Sequence, residues 1–193
     1  FNIARFASQF EIPRDLSTPP SLENEDVWIL SEFDRTMSVV QESWENIDIY
    51  TAAQSIKSFG TGIFPSHWLE MSKSRLYDGN SSGLWTLHRI VRDLLAAFSP
   101  ICPFFTHYLS TTLYDQSSVD IRGFPRLPES CKSGQFENIW KLTDDLVSFN
   151  SKIWKAKKEM GVSLKSPIDG ISIPNELELF HETLTSMHNI GSK

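Results

Sequence analysis

Cysteine is nearly missing from this chain: Cys102 and Cys131 are all that its 193 residues contain, far apart in unrelated contexts. Such a pair cannot frame a disulfide-stapled domain, and it suits a reducing compartment. There is no run of about 18 apolar residues, so no segment reads as membrane-spanning. No charged-then-apolar leader opens the chain. It starts at Phe1 in what reads as the middle of a helix, which we take as a piece cut from something longer.

A basic excess is also absent. Eighteen Lys and Arg stand against 24 Asp and Glu, for a formal net charge of -6. Proteins that hold nucleic acid by bulk attraction are usually basic, because neutralised phosphates drive that binding. A nucleic-acid partner would here have to be met by a local patch or by base stacking.

Catalytic signatures are missing as well. The chain has no G-x-S-x-G elbow and no G-x-x-x-x-G-K-[ST] loop. Its histidines, His67, His88, His107, His181 and His188, form no H-x-x-x-H pair and lie beside no cysteine at zinc spacing. They are expected as surface or capping groups, with no catalytic residue and no metal site.

Apolar and aromatic residues are plentiful, with 6 Trp and 13 Phe, enough for a substantial core. The length fits one large domain, or one domain with a small appendage. Phe1, Ile3, Phe6 and Phe10 have roughly helical spacing, and Pro13, Pro19 and Pro20 then mark a loop. From Asp26, apolar side chains recur at Ile29, Phe33, Met37, Val40 and Trp44, one stripe of an amphipathic helix. A second helix begins near Ile47, is interrupted by Gly60, Gly62 and Pro65, and resumes through Trp68 and Met71 to about Tyr77.

Leu84, Leu87, Val91, Leu94, Leu95 and Phe98 mark a further stripe. Pro100 and Pro103 break it before Phe104, Tyr108, Leu109 and Leu113 continue. Residues 115–133 read as loop. Ile139, Leu142, Leu146, Phe149, Ile153 and Met160 predict a long helix ending at Gly161, a natural C′ residue. Weak alternation over 162–174, with an Asp169-Gly170 turn, predicts two short strands, and a closing helix follows. The expected architecture is mainly α: a helical bundle over 1–115 and a small α+β extension over 116–193.

Met71-Ser72-Lys73-Ser74 spells four letters of KMSKS, a loop that grips ATP phosphates. Such a loop needs flexible backbone and free lysines. On a helical projection Phe64, Trp68, Leu69, Met71 and Leu76 instead share one arc, while Glu70, Lys73 and Ser74 face away. Glu70 and Lys73 lie one turn apart and can pair. A packed helix is the expectation.

Lys152, Lys155, Lys157 and Lys158 sit on one helix around Trp154. They read as a solvated helix end or as a phosphate-contacting strip. Asn2, Arg5 and Phe6 cluster on the first helix. From residue types Phe6 reads as core, although an aromatic beside an arginine also suits stacking on an unpaired RNA base.

Several separated stretches together resemble one family, the valyl branch of the class Ia aminoacyl-tRNA synthetases in an archaeal-like form. They are "NIARF", "DVWILSEFDRTMSVVQESWENIDIYTAAQSIKSF", "HWLEMSKSRLY", "SPICPFFTHYLSTTLY", "KAKKEMGVSL" and "MHNIG". Trp68 stands where the family usually has Tyr, and His107 where it has Glu; both read as helix-packing positions. The isoleucyl branch is the nearest alternative, and the Arg5-Phe6 pair tilts the resemblance to valyl. A helical protein-interaction scaffold is the alternative outside the synthetases.

The resemblance implies an all-α class Ia anticodon-binding bundle that docks on a tRNA anticodon stem-loop. By motif match, Phe6 corresponds to an aromatic that stacks on an anticodon base and Arg5 to its basic neighbour. Asn2 matches too and is expected to order the helix start. Lys152, Lys155 and Lys158 are the candidate phosphate contacts. The family's catalytic domain, with ATP and Mg²⁺, would lie upstream of this chain, which is expected to hold no cofactor and to be inactive alone. A cytoplasmic monomer is implied.

Overall fold

The structure of the protein is a computed structural model, which describes residues 1–114, 123–131, 134 and 137–191. Its long helices are α2 (Asn24–Glu45), α5 (Ser81–Phe98) and α7 (Thr143–Glu159), with α1 (Asn2–Ala7), α3 (Ile49–Ser58), α4 (Leu69–Tyr77), α6 (Pro103–Tyr114) and α8 (His181–His188) around them. Capping places several starts. The Asp48 carboxylate accepts from Thr51 N at 3.0 Å to open α3, and the Asn80 side chain accepts from Gly83 N at 2.9 Å to open α5. Pro103 begins α6, where its missing N–H costs nothing.

The stripe of α2 buries as its spacing predicts, with Ile29, Phe33, Met37 and Val40 in the core. The predicted interruption after α3 takes another form. Phe59–Trp68 continues the helix as a wide π-helical turn that joins α3 to α4 without a break. Pro65 is accommodated inside it, and Phe59, Phe64 and Trp68 remain buried. Their rings stack in series, at 5.8 Å and then 5.1 Å between centroids.

Three sequence expectations are corrected. On α6 Leu109 is buried and Leu113 packs against the core as expected, with Thr106 and Ser110 buried beside them, while Phe104, Tyr108 and His107 face solvent, so only half of the expected stripe holds and His107 is no packing position. The strands expected over 162–174 do not form among the described residues. The segment is turns with one isolated parallel bridge, Ile168 to Ile190, because a strand needs a continuous neighbour that this short segment lacks. Finally, the helix expected from Ile139 begins as a 3₁₀ turn, Ile139–Leu142, before α7. Gly161 does terminate that helix, with φ 69°.

The C-terminal residues share one core with the bundle. Trp28 of α2 donates its indole N–H to Thr143 Oγ1 at 2.9 Å, and Thr143 donates in turn to Glu32 at 3.1 Å. Trp28 also meets Phe180 edge to face. Most of the loop expected over 115–133, including the expected boundary at 115/116, lies outside the described residues.

Candidate nucleic-acid interface

The first helix is short, and Ala4 and Ala7 face the core while Asn2 and Arg5 are exposed. Phe6 is only half-buried. Its ring meets Phe10 edge to face at 5.0 Å, and Phe10 meets Tyr77 at 5.3 Å, also edge to face. Tyr77 ends α4 and is 62 % exposed. The result is an aromatic ladder that runs from partly buried to open. Edge-to-face packing fixes these rings beyond simple area burial, leaving aromatic surface next in the chain to an exposed cation, Arg5.

Asn2 is the first residue of α1, directly after the N-cap Phe1, and its side chain is exposed. Phe10 and Tyr77 were not among the sequence candidates. The signal was present: Tyr77 falls off the apolar arc of α4, and Phe10 lies four residues from Phe6.

The lysines divide. Lys152, Lys155 and Lys158 are exposed on the outer face of α7, with Lys155 3.9 Å from Glu159. Lys157 is fully buried, and its Nζ donates to the carbonyls of Leu164 at 2.8 Å and His188 at 2.7 Å. Its inclusion in a solvated strip is corrected: it ties the C-terminal turn to α7. The ladder belongs to α1, the turn after it and α4, whereas the strip belongs to α7.

The histidines divide similarly. His107 and His181 are exposed, but His67, His88 and His188 are buried, against the expectation of surface or capping groups. Asn150 bridges two of the buried rings, 2.7 Å from His188 Nε2 and 3.0 Å from His67 Nδ1. Burial, then the nearby Lys157 and His67, pushes His188 down to about 4, and burial lowers His67 too. No group of three or more His, Cys, Asp or Glu side chains is placed to hold a metal among the described residues. No helix among them is long and apolar enough to cross a membrane.

The four-letter KMSKS match sits on α4, a packed helix, as expected. Met71 and Leu76 are buried, and Lys73 pairs in solvent with Glu70 at 3.2 Å. A helix pinned in this way offers no flexible backbone to a triphosphate.

A family model described as the anticodon-binding domain of tRNA ligase matches residues 26–172. Among curated relatives, a valine–tRNA ligase of Aeropyrum pernix is 32% identical over 206 residues, covering 97% of this chain and 24% of its own length. That of Nanoarchaeum equitans is 28% identical, covering 98% of this chain and 24% of its own length. That of Pyrobaculum aerophilum is 27% identical, covering 99% and 24%. The chain thus spans about a quarter of the length of these relatives. With three quarters of its residues matched by the family model, the chain belongs to the anticodon-binding domain family of tRNA ligases.

Proposed function

We propose that this chain recognises the anticodon stem-loop of a valine tRNA, as the anticodon-binding part of a cytoplasmic, monomeric valine–tRNA ligase. The observation that carries this reading is the aromatic ladder Phe6–Phe10–Tyr77 beside exposed Arg5, in a chain of the anticodon-binding family. Phe6 and Tyr77 present stacking surface to unstacked loop bases, and Arg5 meets a neighbouring phosphate. Stacking and local contacts of this kind let an acidic protein, at net charge -6, bind RNA without a basic surface. Lys152, Lys155 and Lys158 contact backbone phosphates from α7. The division into a bundle over 1–115 and an extension over 116–193 belongs to this proposal. The whole ligase would carry out ATP-dependent aminoacylation, with ATP and Mg²⁺ held outside this chain.

Binding measured at several salt concentrations tests the reading. Affinity for a stem-loop with a valine anticodon should fall with salt and weaken when the anticodon bases are changed. Phe6→Ala should cost about 1–3 kcal/mol of RNA affinity with a small change in melting temperature. Indifference to the anticodon at every salt would overturn it, and a large stability loss with unaltered RNA binding would return Phe6 to the core.

A further inference from the structure

From Leu94 to Tyr114 the chain contains no Asp, Glu, Lys or Arg, and this stretch takes in the end of α5 and all of α6. A helix at the surface ordinarily turns a charged face to water. Helix α6 turns out aromatic rings instead: Phe104 is 91% exposed, Tyr108 62% and Phe105 46%. Phe104 and Phe105 each lie one helical turn from Tyr108, so the three make one patch. At these exposures they offer roughly 300–500 Å² of apolar surface, a whole ring supplying about 150–250 Å². A contiguous patch of this size usually marks a contact.

Beside the patch lies an apolar cleft of about 230 Å³. Phe1 and Ala4 wall it on one side, Val91 and Phe98 of α5 on another, and Cys102 and Phe105 at the start of α6 on a third. Among the lining residues only Lys57 has a charged side chain. Phe105 belongs to both patch and cleft, so the two are continuous. An apolar cavity of about 150 Å³ already admits a benzene ring. This cleft therefore has room for one large apolar side chain, the kind of anchor on which protein interfaces centre.

The occupant follows from charge, area and connectivity. RNA needs cations for its phosphates, and α6 supplies none. A second copy, or any free protein, would need about 800 Å² on each side for a standard stable interface, more than the patch offers. A tethered occupant needs less, because the tether holds it at an effective concentration of millimolar order. Phe1 lines the cleft, so residues that precede it in a longer chain leave from this face. The relatives are longer: this chain covers 24% of the length of the Aeropyrum pernix ligase.

We propose that Phe104, Phe105 and Tyr108, with the adjoining cleft, form the surface on which the part of the parent ligase preceding Phe1 packs. One large apolar side chain of that part fills the cleft. The proposal rests on the reading of this chain as a piece of a longer ligase, and it adds an interface within that protein.

Maleimide labelling of Cys102, followed on its own peptide by mass spectrometry, tests this. Cys102 is exposed and lines the cleft, whereas Cys131 is buried and reports that the chain is folded. In the 193-residue chain Cys102 should label quickly and Cys131 slowly. In the parent ligase without tRNA, Cys102 should label at least about tenfold more slowly, since the reagent must wait for the interface to open. Phe104→Ser, Tyr108→Ser in the parent should restore fast labelling. Both side chains face solvent in this chain, so the same pair should leave its own melting temperature nearly unchanged. Equal labelling of Cys102 in the parent and in this chain would overturn the interface, and so would protection that survives the double variant. Protection of this chain that grows with its concentration would make the occupant a second copy, and protection of the parent only on adding tRNA would make it RNA; either overturns the proposal. The function reading is separable: a parent that protects Cys102 but does not aminoacylate a valine tRNA would keep the interface and lose that reading.

Discussion

Arg75 holds Asp26 with both arms of its guanidinium, Nη1 at 3.0 Å from Oδ2 and Nη2 at 3.2 Å from Oδ1. Asp26 is fully buried and accepts as well from Trp68 Nε1 at 2.9 Å and from the Ser82 hydroxyl. One carboxylate in the first turn of α2 thus gathers the wide turn, α4 and α5.

Removing one partner of a buried ion pair leaves the other uncompensated, at about 3–5 kcal/mol. Asp26→Ala is therefore expected to lower stability by that order, and Arg75→Lys by less, since a lysine keeps the charge but loses the fork. Urea denaturation checks both. A midpoint for Asp26→Ala within error of wild type would remove Asp26 from this role.

The sequence already carried the two halves of this junction, Asp26 opening one helix and Trp68 and Arg75 seven residues apart on another. Helical periodicity located both elements, because it depends only on which face each residue occupies. It could not show that they meet, since a contact between residues 42 or 49 apart leaves no local pattern. The wide turn Phe59–Trp68 was hidden for a different reason: Gly60, Gly62 and Pro65 carry the letters of a break, while the i→i+5 geometry that absorbs them is tertiary in origin. Lys157 was more legible than it looked. It shares the stripe of Leu146, Asn150 and Ile153, and its charge outweighed its position in the reading.

Lys73 separates the packed helix from a phosphate loop. Its pair with Glu70 is half-exposed on both sides, so Lys73→Ala should change stability by no more than about 0–1 kcal/mol. ATP with Mg²⁺ should leave the melting temperature where it was. An ATP-dependent rise abolished by Lys73→Ala would restore the loop reading.

The four lysines of α7 should part company under mutation. Replacing Lys152, Lys155 and Lys158 together by alanine is expected to leave the melting temperature nearly unchanged. It should also flatten the salt dependence of RNA binding by roughly one unit of slope per lost phosphate contact. Lys157→Ala should instead destabilise the fold, because the carbonyls of Leu164 and His188 lose their donor. Equal effects of all four substitutions on stability would contradict the division.

Acid should act first through the buried histidines. His88 is pushed down to about 4 by burial, against the opposing pull of the Phe10 carbonyl, and His188 to about 4 by burial with Lys157 and His67 adding to it. An unfolded histidine takes up its proton near pH 6.5, whereas these two resist it in the fold until about 4. Between those values the unfolded chain binds more protons, so stability rises with pH there. It is complete above about pH 6.5 and is lost as pH falls toward 4. The melting temperature should hence be flat near neutrality and decline below about pH 6.5, before carboxylates begin to protonate. His188→Gln should lose stability at pH 7.5 but show a shallower decline between pH 6.5 and 5. The exposed pair His107→Gln, His181→Gln should keep the wild-type slope. If His188→Gln retained the full slope, its burial as a neutral ring between Asn150 and Phe149 would not be the source of the acid sensitivity.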